Sequence, residues 1–263
     1  METLVLAIVA VIGLIIGSFL NVLIYRVPIK KSIAWPSSTC PNCDERIKKY
    51  DNIPLLSYLI LRGKCRSCGQ AISPRYPAIE LLSAILVVIS FLYFGITLSA
   101  VLSSFFLLIL LTVAVIDIGH KIIPNVIILP SIVISGIIAV VGEIFGYETL
   151  PLVGQASLVE AIIGFLAGGG LLFIIALLWR GGMGGGDIKL AGFMGIFLGR
   201  YVLMGLFAGF LFGSIAGLIS MAVFHKDRRD LIPFGPFLSL GAIVALFFGP
   251  ALLNWYLSAS GLV

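Results

Sequence analysis

The chain has 263 residues, of which 60% are apolar and 11% charged, and its net charge is +5. Soluble domains run roughly 45–50% apolar and about 25% charged. These figures exclude a disordered chain, a secreted disulfide scaffold and an ordinary soluble enzyme, and they predict an all-α polytopic membrane protein.

A hydrocarbon core about 30 Å thick takes roughly 20 residues of helix. That window predicts about eight spans: residues 4–25, 78–94, 98–116, about 122–141, 158–179, 188–198, 201–224 and 238–257. The stretch 188–198 is short for a span and is expected to be tilted or partly sunk in the bundle. Residues 1–3 carry no basic charge, the first apolar run is long, and no small-residue cleavage site follows. The first span is therefore expected to be a membrane helix rather than a cleaved signal. Lys and Arg in short loops set orientation. With eight alternating spans and the N-terminus outside, sixteen of the 17 basic residues fall on the cytosolic side and only Arg200 falls outside.

Residues 26–77 form the one sizeable polar region and hold six of the 12 prolines, so little regular secondary structure is expected there. The organisation that follows is a first transmembrane helix (1–25), a small cytosolic zinc-ribbon-like domain (26–77) and a transmembrane catalytic bundle (78–263). All four cysteines lie in the polar region, as Cys40-Pro-Asn-Cys43 and Cys65-Arg-Ser-Cys68. Paired CxxC knuckles separated by about 15–20 residues read as a tetrahedral zinc site. The alternative is a set of reduced or disulfide-paired cysteines that staple the loop, although the cytosol disfavours disulfides. Four thiolates leave no open position for water, which argues for structural rather than catalytic zinc. The basic residues of this region fit attraction to anionic lipid beside the membrane, rather than nucleic acid.

Ionisable groups inside spans mark function by default. Asp117 ends the third span and Asp187 begins the sixth, in Gly184-Gly185-Gly186-Asp187-Ile188-Lys189. Alternation puts both at the cytosolic border. Two close carboxyls share a proton and so supply a general acid and a general base together. That is the chemistry of an aspartic protease, and the glycines of 181–186 let an extended substrate approach closely. Each acid has a plainer reading: Asp187 as a first-turn helix acid, Asp117 as the polar end of a span. A proton-linked transporter with a zinc-stapled loop also fits paired membrane acids; against it, no comparable acid lies mid-span except Glu160, which reads as interfacial, and no half-to-half repeat is apparent. A zinc-bearing scaffold is a third reading. His120 lies three residues after Asp117, where a helix brings the two onto one face. The cluster His225, Lys226, Arg228 and Arg229 reads as a cytosolic anchor. Glu80 reads as a helix-start acid or a substrate contact.

Taken in order, the motifs resemble the bacterial type IV prepilin peptidases among the GxGD intramembrane aspartic proteases. The resemblance is carried by residues 17–22 (GSFLNV), Cys40-Pro41-x-Cys43, Asp51-Asn52-Ile53-Pro54, Cys65-x-x-Cys68, residues 72–77 (ISPRYP), Glu80, Asp117, residues 122–125 (IIPN) and residues 184–189. It implies Asp117 and Asp187 as the catalytic pair, Gly184, Gly186 and Lys189 in the active-site loop, and Cys40, Cys43, Cys65 and Cys68 as zinc ligands. It also implies substrates: type IV prepilins and pseudopilins, cut before their apolar helix in the bacterial inner membrane. Methylation of the new N-terminus by S-adenosylmethionine follows from the resemblance alone, with no residues assigned to the methyl donor. Two positions depart from the family pattern: Gly119 and Asn125 stand where Asp is common, which leaves Asp117 as the one carboxylate candidate in its loop.

Overall fold

The structure, a computed structural model, describes residues 2–179, 183–224 and 233–260. Arg180, Gly181, Gly182 and the basic cluster around His225 lie outside the described residues. Among the described residues the chain is helical, with two isolated β-bridges and no strand. Among the described residues, seven stretches are long and apolar enough to cross a membrane. The chain divides into two units, Met1–Leu108 and Ile109–Val263.

In the first unit, α1 (Glu2–Arg26) packs along α3 (Arg75–Phe94). Glycine makes this approach possible. A Cβ on Gly13 would sit 2.6 Å from Ala84 Cα, and one on Gly17 would sit 2.7 Å from Glu80 Cα. Small residues spaced four apart are how helices reach backbone contact without a hydrophobic drive from water. The polar segment between them has only a 3₁₀ turn at Lys49–Asn52 and the five-residue α2 (Leu56–Ile60), as its prolines dictate. α4 (Leu98–His120) begins in this unit and ends in the next.

The second unit continues with α5 (Asn125–Phe145), α6 (Leu158–Phe165), a π turn at Leu166–Gly170 and α7 (Leu171–Leu178). It is completed by α8 (Gly185–Leu198), α9 (Val202–Phe224) and α10 (Gly235–Ala259). Ser157 caps α6, its hydroxyl accepting the Glu160 N–H at 3.2 Å. The apolar stretch Gly185–Val223 counts as one span by length, but Gly199, with φ +55°, breaks it between α8 and α9. The short segment expected to sink into the bundle is thus a helix of its own. At 14 residues it reaches only about 21 Å, and residues 190–198 are all buried. A helix apolar on every side belongs in a core. Glycines admit it: a Cβ on Gly168 would meet Ala191 O at 2.4 Å, and one on Gly195 would meet Gly164 O at 2.0 Å.

Candidate active site and metal centre

Asp117 is on the last turn of α4, 5% exposed. The turn closes with Lys121 in the left-handed region (φ 55°), its N–H donating to Asp117 O at 2.8 Å. The Gly235 N–H, at the start of α10, donates to Asp117 Oδ2 at 2.8 Å. Glycine at 235 permits this geometry: a Cβ there would stand 2.9 Å from the same oxygen and displace the carboxylate.

Asp187 occupies the first turn of α8, and the backbone N–H of Gly184, the N-cap residue, reaches back to its carboxylate. This is the acidic half of a capping box, so the plain reading of Asp187 holds and coexists with a chemical one. Asp117 lies within electrostatic range of Asp187, so the fold puts two acids 70 positions apart in one region of the unit. Gly186 lets the α8 start lie against the loop after α4, since a Cβ there would be 2.7 Å from Ile123 Cβ. Lys189 Nζ donates to Asn125 Oδ1 at 2.7 Å, tying α8 to the first residue of α5. Asn125 thus supplies an acceptor without charge.

His120 is exposed. Glu160, read as an interfacial acid, pairs with Arg200 at the end of the unit opposite Asp117. Sequence reasoning missed Gly235. Gly-Pro ahead of an apolar run signals a helix start, yet nothing local says which side chain that amide will meet.

In the first unit the two CxxC knuckles are built alike. Cys40 N–H donates to Glu45 O at 2.9 Å and Cys65 N–H to Gln70 O at 2.8 Å. The bridges Thr39↔Arg46 and Lys64↔Ala71 close the two turns. The residue after each second cysteine is left-handed, Asp44 at φ 55° and Gly69 at φ 71°. All four cysteines are free, and their Sγ atoms lie within 4.8 Å of one another. Cys40 and Cys68 are 3.9 Å apart, close to the roughly 3.8 Å edge of a tetrahedron with Zn–S bonds of about 2.3 Å. Backbone N–H groups of Cys68 and Ser67 bond the Cys65 sulfur, which favours a thiolate. The cluster is one that could hold a metal ion. Arg66, inside the second knuckle, grips Asp51 with two hydrogen bonds of 2.8 and 2.6 Å. This grip holds the Asp51 carboxyl below the usual carboxylate range.

The fold and these groups define a multi-pass helical membrane protein with a pair of interacting acids in one unit and a four-cysteine centre in the other. Residues 11–94 match the bacterial peptidase A24 N-terminal domain, and residues 104–221 match the type IV leader peptidase family. The chain is 35% identical over 256 residues to a prepilin leader peptidase/N-methyltransferase of Bacillus subtilis, covering 96% of this chain and 98% of the relative. A protein of the same description from Legionella pneumophila is 32% identical over 274 residues, covering 95% and 93%. A type 4 prepilin-like proteins leader peptide-processing enzyme of Escherichia coli is 36% identical over 257 residues, covering 89% and 91%. No solved structure matches. The chain belongs to the type IV leader peptidase family and is an enzyme, a membrane peptidase.

Proposed function

We propose that the protein cuts the basic leader from type IV prepilins and pseudopilins, with Asp117 and Asp187 as its catalytic pair. The observation that carries the reading is the placement of these two acids in one region of the fold: the start of α8, which bears Asp187, lies against the loop that follows Asp117, and the Gly235 amide fixes the Asp117 carboxyl. In the cleavage step one carboxylate takes a proton from water while the other, protonated, hydrogen-bonds the scissile carbonyl. The water oxygen bonds to the carbonyl carbon. The tetrahedral intermediate then collapses as the leaving nitrogen receives a proton from the pair, leaving a free carboxyl and a new N-terminal amine. Gly184 leaves the Asp187 carboxylate uncovered, Gly186 lets the loop pack against Ile123, and Lys189 with Asn125 holds the loop.

The substrate's chemistry fits the acids' depth. A prepilin leader is polar and basic and its next segment is a membrane helix, so its scissile bond lies at the bilayer border. By the distribution of Lys and Arg this border is the cytosolic face of the bacterial inner membrane, with the N-terminus outside. Cys40, Cys43, Cys65 and Cys68 hold a structural zinc ion that folds the polar segment. A segment of about fifty residues builds too little core to fold unaided. The relatives' description as N-methyltransferases supports a second step, transfer of a methyl group to the new amine, with S-adenosylmethionine as the donor that the sequence resemblance implies.

The test is incubation of purified protein with a synthetic prepilin, read by mass spectrometry. Wild type is expected to release the leader, and Asp117→Asn and Asp187→Asn each to release none while inserting normally. Cleavage retained by either variant would falsify the pair.

A further inference from the structure

Glu80 is a second buried acid, which peptide cleavage leaves unused. It sits on the first turns of α3, pressed against Gly17 of α1, and is 8% exposed. Its Oε2 accepts the Leu55 N–H at 2.9 Å, and the Ser18 hydroxyl also bonds it. Leu55 holds φ +59°, ψ −48° to present that N–H, a region that a residue with a Cβ rarely adopts. One turn along α1, Asn21 is 5% exposed. Its Nδ2 donates to Tyr76 O at 3.0 Å, while its Oδ1 is buried with no hydrogen-bond partner among the described residues. Strained backbone and an unsatisfied buried acceptor collect at functional sites.

Glu80, Ser18 and Asn21 line one open cavity of about 1040 Å³, bounded within the first unit by the polar segment and the ends of α1 and α3. Its volume is at the upper end of small-molecule sites, about 300–1,000 Å³. Cys40 and Cys65 are part of its wall, so a metal that fixes the knuckles also fixes the cavity. Tyr25 and Tyr58 give it aromatic surface. A buried carboxylate and a spare acceptor call for a cationic ligand that carries N–H donors.

We infer that this cavity is the methyl-donor site, with Glu80 set against the positive sulfonium of S-adenosylmethionine and Asn21 beside it. The inference rests on the methyl-transfer part of the proposed function. When bound, the donor supplies a methyl group that a free amine takes, leaving a neutral thioether and one proton. Glu80 is the group that makes the cavity prefer the charged donor over its neutral thioether product.

The experiment is isothermal titration of the full-length, zinc-loaded protein in detergent with S-adenosylmethionine and, separately, with S-adenosylhomocysteine. Wild type is expected to bind the charged donor more tightly. Glu80→Gln is expected to lose about tenfold in affinity for it and little for the thioether, as fits loss of one buried charge partner. Asn21→Ala is expected to weaken both ligands. Zinc content of one per chain in each variant reports that the unit is folded. Unchanged donor affinity in both variants overturns the assignment. So does wild type that cleaves prepilin but binds no donor, and in that case the peptidase reading stands. Donor binding with the expected Glu80 dependence, in protein that cleaves no prepilin, supports the cavity and sinks the peptidase reading instead.

Discussion

Gly235→Ala is the sharpest probe of the acid pair, because it adds one methyl group at the atom that orients Asp117. The new Cβ would stand 2.9 Å from Asp117 Oδ2 and 3.3 Å from its Cγ, so the carboxylate must move by several tenths of an ångström. The 2.8 Å hydrogen bond from the Gly235 amide then stretches or breaks. A bond to a charged group is worth roughly 1.5–3 kcal/mol, and each 1.4 kcal/mol or so is a factor of ten in rate. The expected loss in kcat is therefore about 10- to 100-fold, with KM nearly unchanged because the change acts on the orientation of Asp117 rather than on substrate binding. Overpacking costs about 1–3 kcal/mol of stability, so melting is measured alongside. The assay is leader release from a synthetic prepilin in detergent or nanodiscs. Gly119→Ala is the control. It is two residues from Asp117, but a Cβ there meets nothing within 4 Å, and its kcat should stay within about twofold. A Gly235→Ala enzyme as fast as wild type would mean that the amide does not position Asp117.

Lys189→Met and Asn125→Ala should each slow cleavage severalfold. If their 2.7 Å bond is what holds the loop, the double variant should be no slower than either single one, a coupling of about 0.5–3 kcal/mol; fully additive losses would refute the tie. Purified wild type should carry one zinc per chain and Cys65→Ser less than one, by metal analysis. Substoichiometric metal in wild type, unchanged by the substitution, would count against the centre. Arg66 holds Asp51 below its ordinary value of 3.8, so their tie is complete at neutral pH and is lost only as pH falls through that lowered value. Zinc release from wild type should therefore be slower than from Asp51→Asn at pH 6–8 and should converge with it in strong acid; curves that coincide throughout would show that the tie does not brace the knuckles.

Much of this was legible in the chain itself. Long apolar runs fix a helical membrane protein because backbone groups in lipid must be satisfied within each segment. The two CxxC pairs were legible because a knuckle is local: two residues between cysteines suffice to aim both sulfurs at one point. The alternation of spans predicts Asp117 and Asp187 at one depth. Depth is one coordinate of three, however. That the start of α8 lies against the loop after α4 follows from the burial of α8, which depends on glycines of α6 and the π turn meeting the glycines of α8. The partnership of Gly235 with Asp117, of Lys189 with Asn125 and of Leu55 with Glu80 spans 118, 64 and 25 positions. No periodicity encodes such distances, since each contact is set by how whole helices pack. Composition and local spacing thus determined the solvent, the helices and the sulfur cluster, whereas which oxygen meets which amide was decided only when close helix packing converted small residues into proximity.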